Sequence, residues 1–228
     1  MFDAIIIHET WYEDLFALLA LNYGELQYYL FHITLLLLCL NVALAKRNSN
    51  AVAQVTYTYG GSTLAGILLG VSPFISSNRL AIPAHICARA LVLSLPADVF
   101  HSPVIQWTIK IGAELCRCAI AITWYGHAEK KFGKSNRIES VFFAVMAGSF
   151  GNILGSLSLQ PLLQTTCISL FVAMILYQEA FLHQTVQDEN RARSFIVIWM
   201  IWAQHILPIL TKPFQSRSSA LHTVKKNA

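Results

Sequence analysis

Three ionisable residues sit inside an otherwise apolar run, VIQWTIKIGAELCRCAIAITWYG. Lys110, Glu114 and Arg117 fall at i, i+4 and i+7, so a helix places all three on one face. A charged side chain facing lipid at the centre of a bilayer costs about 2.5–3.5 kcal/mol or more. These three must therefore face a bundle interior, a water-filled path or a lipid headgroup. Two chemistries fit. One is a structural ion pair of Glu114 with Lys110 or Arg117. The other is a charged cluster that gates an ion path or holds a lipid phosphate. Arginine suits the second, because its planar fork donates hydrogen bonds in pairs.

A second constellation is built from glycine. VTYTYGGSTLAGILLG, residues 55–70, is apolar enough for a membrane helix yet holds Gly60, Gly61, Gly66 and Gly70. AGSFGNILG, residues 147–155, repeats the theme, with Gly61–Ser62 and Gly148–Ser149 standing 87 residues apart. Small residues let helices approach closely in lipid, and Gly66 and Gly70 have the GxxxG spacing for it. The other reading is a pair of broken helices along a water path, since unpaired backbone at membrane depth survives only where protein or water satisfies it. On that reading Gly60, Gly61, Gly148 and Gly151 interrupt the helices, and Ser62, Thr63, Ser149 and Asn152 line the path. One such helix alone reads as packing. Two, in matching positions of two halves, point to a permeation or binding site.

The elements that must position these residues follow from hydropathy. The chain has 228 residues, 55% hydrophobic and 12% charged, with a mean hydropathy of +0.52. Soluble domains carry about 25% charged residues, so the composition describes an all-α integral membrane protein. Spanning a bilayer takes about 20 apolar residues, and seven stretches qualify: 27–45, 51–71, 80–97, 103–124, 138–158, 162–183 and 194–211. The glycine-rich spans are the middle members of two three-span units, about 27–100 and 103–185. Units of three spans must run in opposite directions, so the layout is an inverted three-plus-three repeat followed by a seventh helix. Residues 1–24 form a non-cytosolic lead-in, partly amphipathic over 4–21. Residues 212–228 form a basic cytosolic tail.

Charge gives an orientation with one conflict. The acidic N-terminus opposite Lys46 and Arg47 places the start of the chain outside the cytosol. The basic tail then lies inside. The loop 126–137, GHAEKKFGKSNR, falls on the non-cytosolic side, against the positive-inside tendency. Residues 1–25 hold no lysine or arginine, so they lack the positive start of a secretory signal.

Other chemistries find little support. The five cysteines, Cys39, Cys87, Cys116, Cys118 and Cys167, fall in apolar stretches with no CxxC pair and read as small buried residues. His85, His101 and His127 are too scattered for a catalytic or metal set, and no metal is expected. His127 reads as a solvated loop residue. Arg89 reaches Asp98 only by bending across helices, and Glu179 lies near a span end. An enzyme and a nucleic-acid binder are both disfavoured. A secondary transporter remains the main competitor, because such carriers also use inverted repeats with broken helices. A membrane scaffold has no positive support.

The ordered set of motifs resembles the trimeric intracellular cation channels of the endoplasmic and sarcoplasmic reticulum, over roughly residues 25–210. YGGSTLAGILLG is similar to the family's FGGxxLxxLLL, LPAD to its CPxD, and GAELCR to its KEVxR, so that Glu114 and Arg117 match. The glycines after AVMAG resemble those of the family's fifth span. The resemblance implies a homotrimer with one pore per subunit, passing monovalent cations, chiefly potassium, as counter-ions during calcium release. It also implies phosphatidylinositol bisphosphate as a bound membrane lipid near the fourth span. The family's lysine before the glutamate is Ala113 here, with Lys110 one turn earlier. The basic residue of the family's fifth-span motif has no counterpart among residues 148–152.

Overall fold

The structure is a computed structural model that describes residues 15, 17–21, 26–151, 154, 165–181 and 186–209. Every regular element among the described residues is helical. The first, α1, is Gln27–Ala45, as the hydropathy marks it. A short turn leads to Asn50, whose side chain accepts from the Ala53 N–H at 2.7 Å and so caps the next helix, α2, Ala51–Leu69. Gly70 ends α2 at φ +70°. Its N–H bonds to Ile67 O at 3.2 Å, and the Val71 N–H bonds to Gly66 O at 3.0 Å. That pair of bonds is the Schellman ending, which needs a left-handed residue and favours glycine.

The short helix α3, Phe74–Ser77, follows Pro73, and α4 spans Ala81–Ser94. Pro96 opens the short α5, Ala97–His101, and Pro103 sits at the first turn of α6, Pro103–Phe132. At 30 residues α6 runs well past the expected span end at 124. Most of the expected 126–137 loop is therefore helix, and His127 is an exposed helical residue with its ring 5.5 Å from Trp124. Gly133, at φ +86°, turns the chain into α7, Arg137–Ser149. Then come α8, Thr165–Phe181, and α9, Val186–Ile201, which passes into a π-helical turn, Trp202–Ile206. QDENRAR, read as a connection, lies on the backbone of α9.

The long helix α6 is the hub, packing against α1 and α7 and touching α2 and α9. One apolar core joins α1, α2, α4, α6 and α7 around Leu35, Tyr59, Ala88, Trp124 and Met146. A second joins α6, α7, α8 and α9 around Ala121, Tyr125, Leu170, Met174 and Ile196. Among the described residues two stretches, Gln27–Ala45 and Asn190–Ile209, are long and apolar enough to cross a membrane, and Ala81–Ser94 and Thr166–Tyr177 are apolar but shorter. The outer surface carries Ile138, Val52 and Val104, each about three-quarters exposed.

Several polar groups of the helices bond to backbone, while the buried His85 ring has no hydrogen-bond partner among the described residues. Arg89 donates to Ser49 O at 3.2 Å, while Asp98 faces His101 at 3.9 Å, so the two do not pair. Gln54, buried, donates to Lys46 O at 2.7 Å. Tyr59 donates to Ala81 O at 2.6 Å and holds α2 to the start of α4. Cys39, Cys116 and Cys118 are buried and free as expected, but Cys87 is exposed.

Candidate functional site: a glycine crossing beside a buried arginine

The glycine-rich segments meet. α2 and α7 cross with their backbones in contact, and the contact is reciprocal. A Cβ on Gly61 would overlap the Met146 carbonyl oxygen and come within 3.0 Å of Ala147 O and 3.1 Å of Gly151 N. A Cβ on Gly151 would overlap Tyr57 O and lie 3.2 Å from Thr56 O. Each glycine thus seats on the same pair of positions in the other segment, ninety residues apart: 56 and 57 against 146 and 147. The spatial partner of Gly61 is therefore Gly151, and not Gly148, its match at 87 residues in the sequence.

This geometry corrects the expected helix breaks. α2 runs unbroken through Gly60 and Gly61, so that pair is a crossing seam and not an interruption. Gly60 is less crowded, with Leu154 Cδ1 and Thr56 Cγ2 each 3.2 Å from a built Cβ. Gly66 does serve as a close contact, since a Cβ built there would lie 3.0 Å from Pro73 Cα and from Trp124 Cη2, while Gly70 is the helix cap. In the second segment the regular helix stops at Ser149, with Phe150 in a turn at φ −70°, ψ −11°. Gly148 lies inside α7, where its missing Cβ makes room for Leu170 Cδ2 at 2.5 Å.

The expected lining residues divide. Ser62 is buried and donates to Tyr59 O of its own helix at 2.9 Å, and Thr63 is half-buried. Ser149, also buried, donates to Val145 O at 2.6 Å. Asn152 lies outside the described residues. A small cavity of ≈ 20 Å³ opens beside the crossing, lined by Tyr57, Thr58, Arg117, Gly148, Ser149 and Gly151 among others. That is room for about one water. Arg117 and three of the predicted glycine-motif residues thus share one small space.

The predicted charged face also divides. Arg117 Nη1 donates to Glu114 Oε1 at 2.5 Å, and both side chains are largely buried. Lys110 is not part of that pair. Its ammonium sits 5.7 Å from the Trp107 ring and lines a separate, open cavity of ≈ 360 Å³ with Asn41, Arg47, His101 and Gln106. The third member of the buried group is His205, whose Nε2 lies 3.5 Å from the same Glu114 Oε1. Sequence reasoning missed it. His205 stands 91 residues from Glu114 in an apolar helix, and no spacing rule links the two. A further residue missed is Lys131 of α6, whose ammonium donates to Leu69 O at 2.7 Å, at the end of α2. A cation there complements the negative end of the helix.

No protein-family model matches the sequence. No curated protein matches it either. The chain is similar in structure to a trimeric intracellular cation channel from C. elegans solved with bound Ca2+, with a TM-score of 0.60 at 16% sequence identity. The match covers 83% of this chain and 95% of that one. The reciprocal α2–α7 crossing and the buried Glu114–Arg117 pair are accordingly set in a fold like that of the C. elegans trimeric intracellular cation channel.

Proposed function

We propose that the chain is a monovalent cation channel, chiefly for potassium, in an intracellular membrane of the endoplasmic reticulum type. Its flux would supply counter-ions when a calcium store discharges. The observation that carries the reading is the one-water cavity where α2 and α7 cross, walled by Arg117 and backed by its Glu114 partner. A lone arginine there would repel a cation. Pairing with Glu114 lowers that charge, and the backbone contact at the crossing closes the path. Opening then means parting α2 from α7 at Gly61 and Gly151.

The wider architecture belongs to the same proposal. Seven helices span the bilayer as two inverted three-helix units and a last helix, and three copies assemble. The exchange of contacts ninety residues apart supports the inverted repeat, because a two-fold relation makes each half meet the other with the same residues. The open cavity at Arg47 and Lys110 supports a site for an anionic lipid headgroup such as phosphatidylinositol bisphosphate. Reversing both charges should abolish retention of that lipid by the purified protein in native mass spectrometry, and unchanged retention would remove the cavity from consideration.

The deciding experiment is reconstitution of the purified chain in a planar bilayer with potassium as the permeant cation. Discrete unitary current steps are expected. Saturable exchange of an organic solute with no unitary steps would instead establish a carrier.

A further inference from the structure

His205 approaches the Glu114–Arg117 pair from a turn wound differently from the helix around it. The π-helical turn Trp202–Ile206 is pinned on one side by Gln204, whose Oε1 accepts from Thr166 of α8 at 2.8 Å. On the other side the His205 ring lies 6.0 Å from the Trp107 ring of α6, edge to face. Such widened turns are rare inside helices and recur where a side chain must be aimed. Here the aim is one carboxylate oxygen. Arg117 Nη1 and His205 Nε2 both address Glu114 Oε1, at 2.5 and 3.5 Å. Glu114 Oε2 is buried and has no hydrogen-bond partner among the described residues. His205 Nε2 is likewise buried with no hydrogen-bond partner of its own among the described residues, so Arg117 holds the bond to Oε1 and the imidazole stands just outside it. The same guanidinium walls the cavity at the α2–α7 crossing.

We propose that His205 is a positioning residue for Arg117. With its proton on Nε2, it takes part of the Glu114 Oε1 charge. It thereby sets how fully the arginine is neutralised at the crossing. The last helix, through its π-turn, thus tunes a constriction made by the second and fifth predicted spans, although His205 does not line that cavity. The consequence for current rests on the channel reading above; the positioning itself does not.

The test uses the full chain in liposomes and in planar bilayers. His205→Leu leaves Glu114 Oε1 wholly to Arg117 and draws the cation back from the cavity. Potassium unitary conductance should rise about two- to fivefold, and His205→Gln, which keeps a side-chain N–H, should stay within about 1.5-fold of wild type, as coupled members of one ion network behave. A glutamine does not restore the volume of an imidazole, so rescue by it separates donation from packing. If H205L does not assemble, H205F supplies the side chain without a donor. The arginine Nε–H resonance that R117K removes should move in H205L and return in H205Q, by solid-state nuclear magnetic resonance. An unmoved resonance, or an H205Q that behaves like H205L, overturns the proposal. A wild-type protein that passes no potassium but shows the resonance shift defeats the channel reading and leaves the positioning role standing.

Discussion

Gly61 on α2 and Gly151 just past the end of α7 hold the two segments at backbone contact, each resting on the peptide groups that precede the other. A methyl group at either position must push two main chains apart, not a flexible side chain. Gly61→Ala and Gly151→Ala should each destabilise the fold by about 1–3 kcal/mol, the range for an overpacked core. Thermal unfolding in detergent measures it. Gly126 is the control: nothing lies within 4 Å of a Cβ there, and alanine is the better helix former by about 1 kcal/mol. Equal melting temperatures for G61A and G126A would show that the crossing carries no strain when filled.

The Glu114–Arg117 pair gives a second prediction. Removing one member of a buried pair leaves an uncompensated charge, at a cost of about 3–5 kcal/mol. Glu114→Ala should therefore assemble poorly and run as aggregate on size exclusion. Arg117→Met removes the cation as well as the contact, and His205 remains within reach of the carboxylate. It should lose less stability than E114A, and the reverse order would contradict the arrangement.

At Gly70 the backbone sits at φ +70°, where a side chain other than glycine costs about 1–2 kcal/mol and asparagine costs less than alanine. The ranking glycine above asparagine above alanine is expected in melting temperature. Full tolerance of alanine would mean that α2 ends in another way.

How much of this could be seen in the sequence differs by feature. The start and end of α1 were legible because hydropathy and polar flanks change together at Gln27 and Ala45. Glu114 with Arg117 was legible because helical spacing is local. Lys110 has the same spacing but a different fate, because its flexible stem lets it leave the face for the cavity with Arg47. The role of Gly60 and Gly61 was not legible. Glycine in an apolar helix has two uses, and only the position of Met146 and Ala147 in space decides between a break and a seam. The loop after residue 124 was misplaced because charge near a helix end reads as solvent, while α6 simply continues beyond the apolar stretch to Phe132. His205 depended on a π-turn, which leaves no periodic trace.

Lys131 lies on the exposed end of α6 yet donates into the last carbonyls of α2. Replacing it with methionine keeps the stem and removes the donor. The expected loss is about 0.5–1 kcal/mol, the worth of a cation at an exposed helix end. Hydrogen exchange of the last turn of α2 should quicken while the middle of α6 stays protected, and unchanged exchange at Leu69–Val71 would show that the cap is idle.

That bond has a consequence for how the chain is made. Lys131 lies 62 residues beyond the carbonyl it satisfies. A ribosome releases α2 well before the lysine exists, and the seat for Gly61 on Met146 comes later still. During that interval the first half is an unfinished part, with an open carbonyl end and an uncovered glycine face. Completion waits for the second half to arrive. Residues 27–100 expressed alone are therefore expected to be a substrate for quality control. Co-expression of the missing half as a separate polypeptide should rescue it.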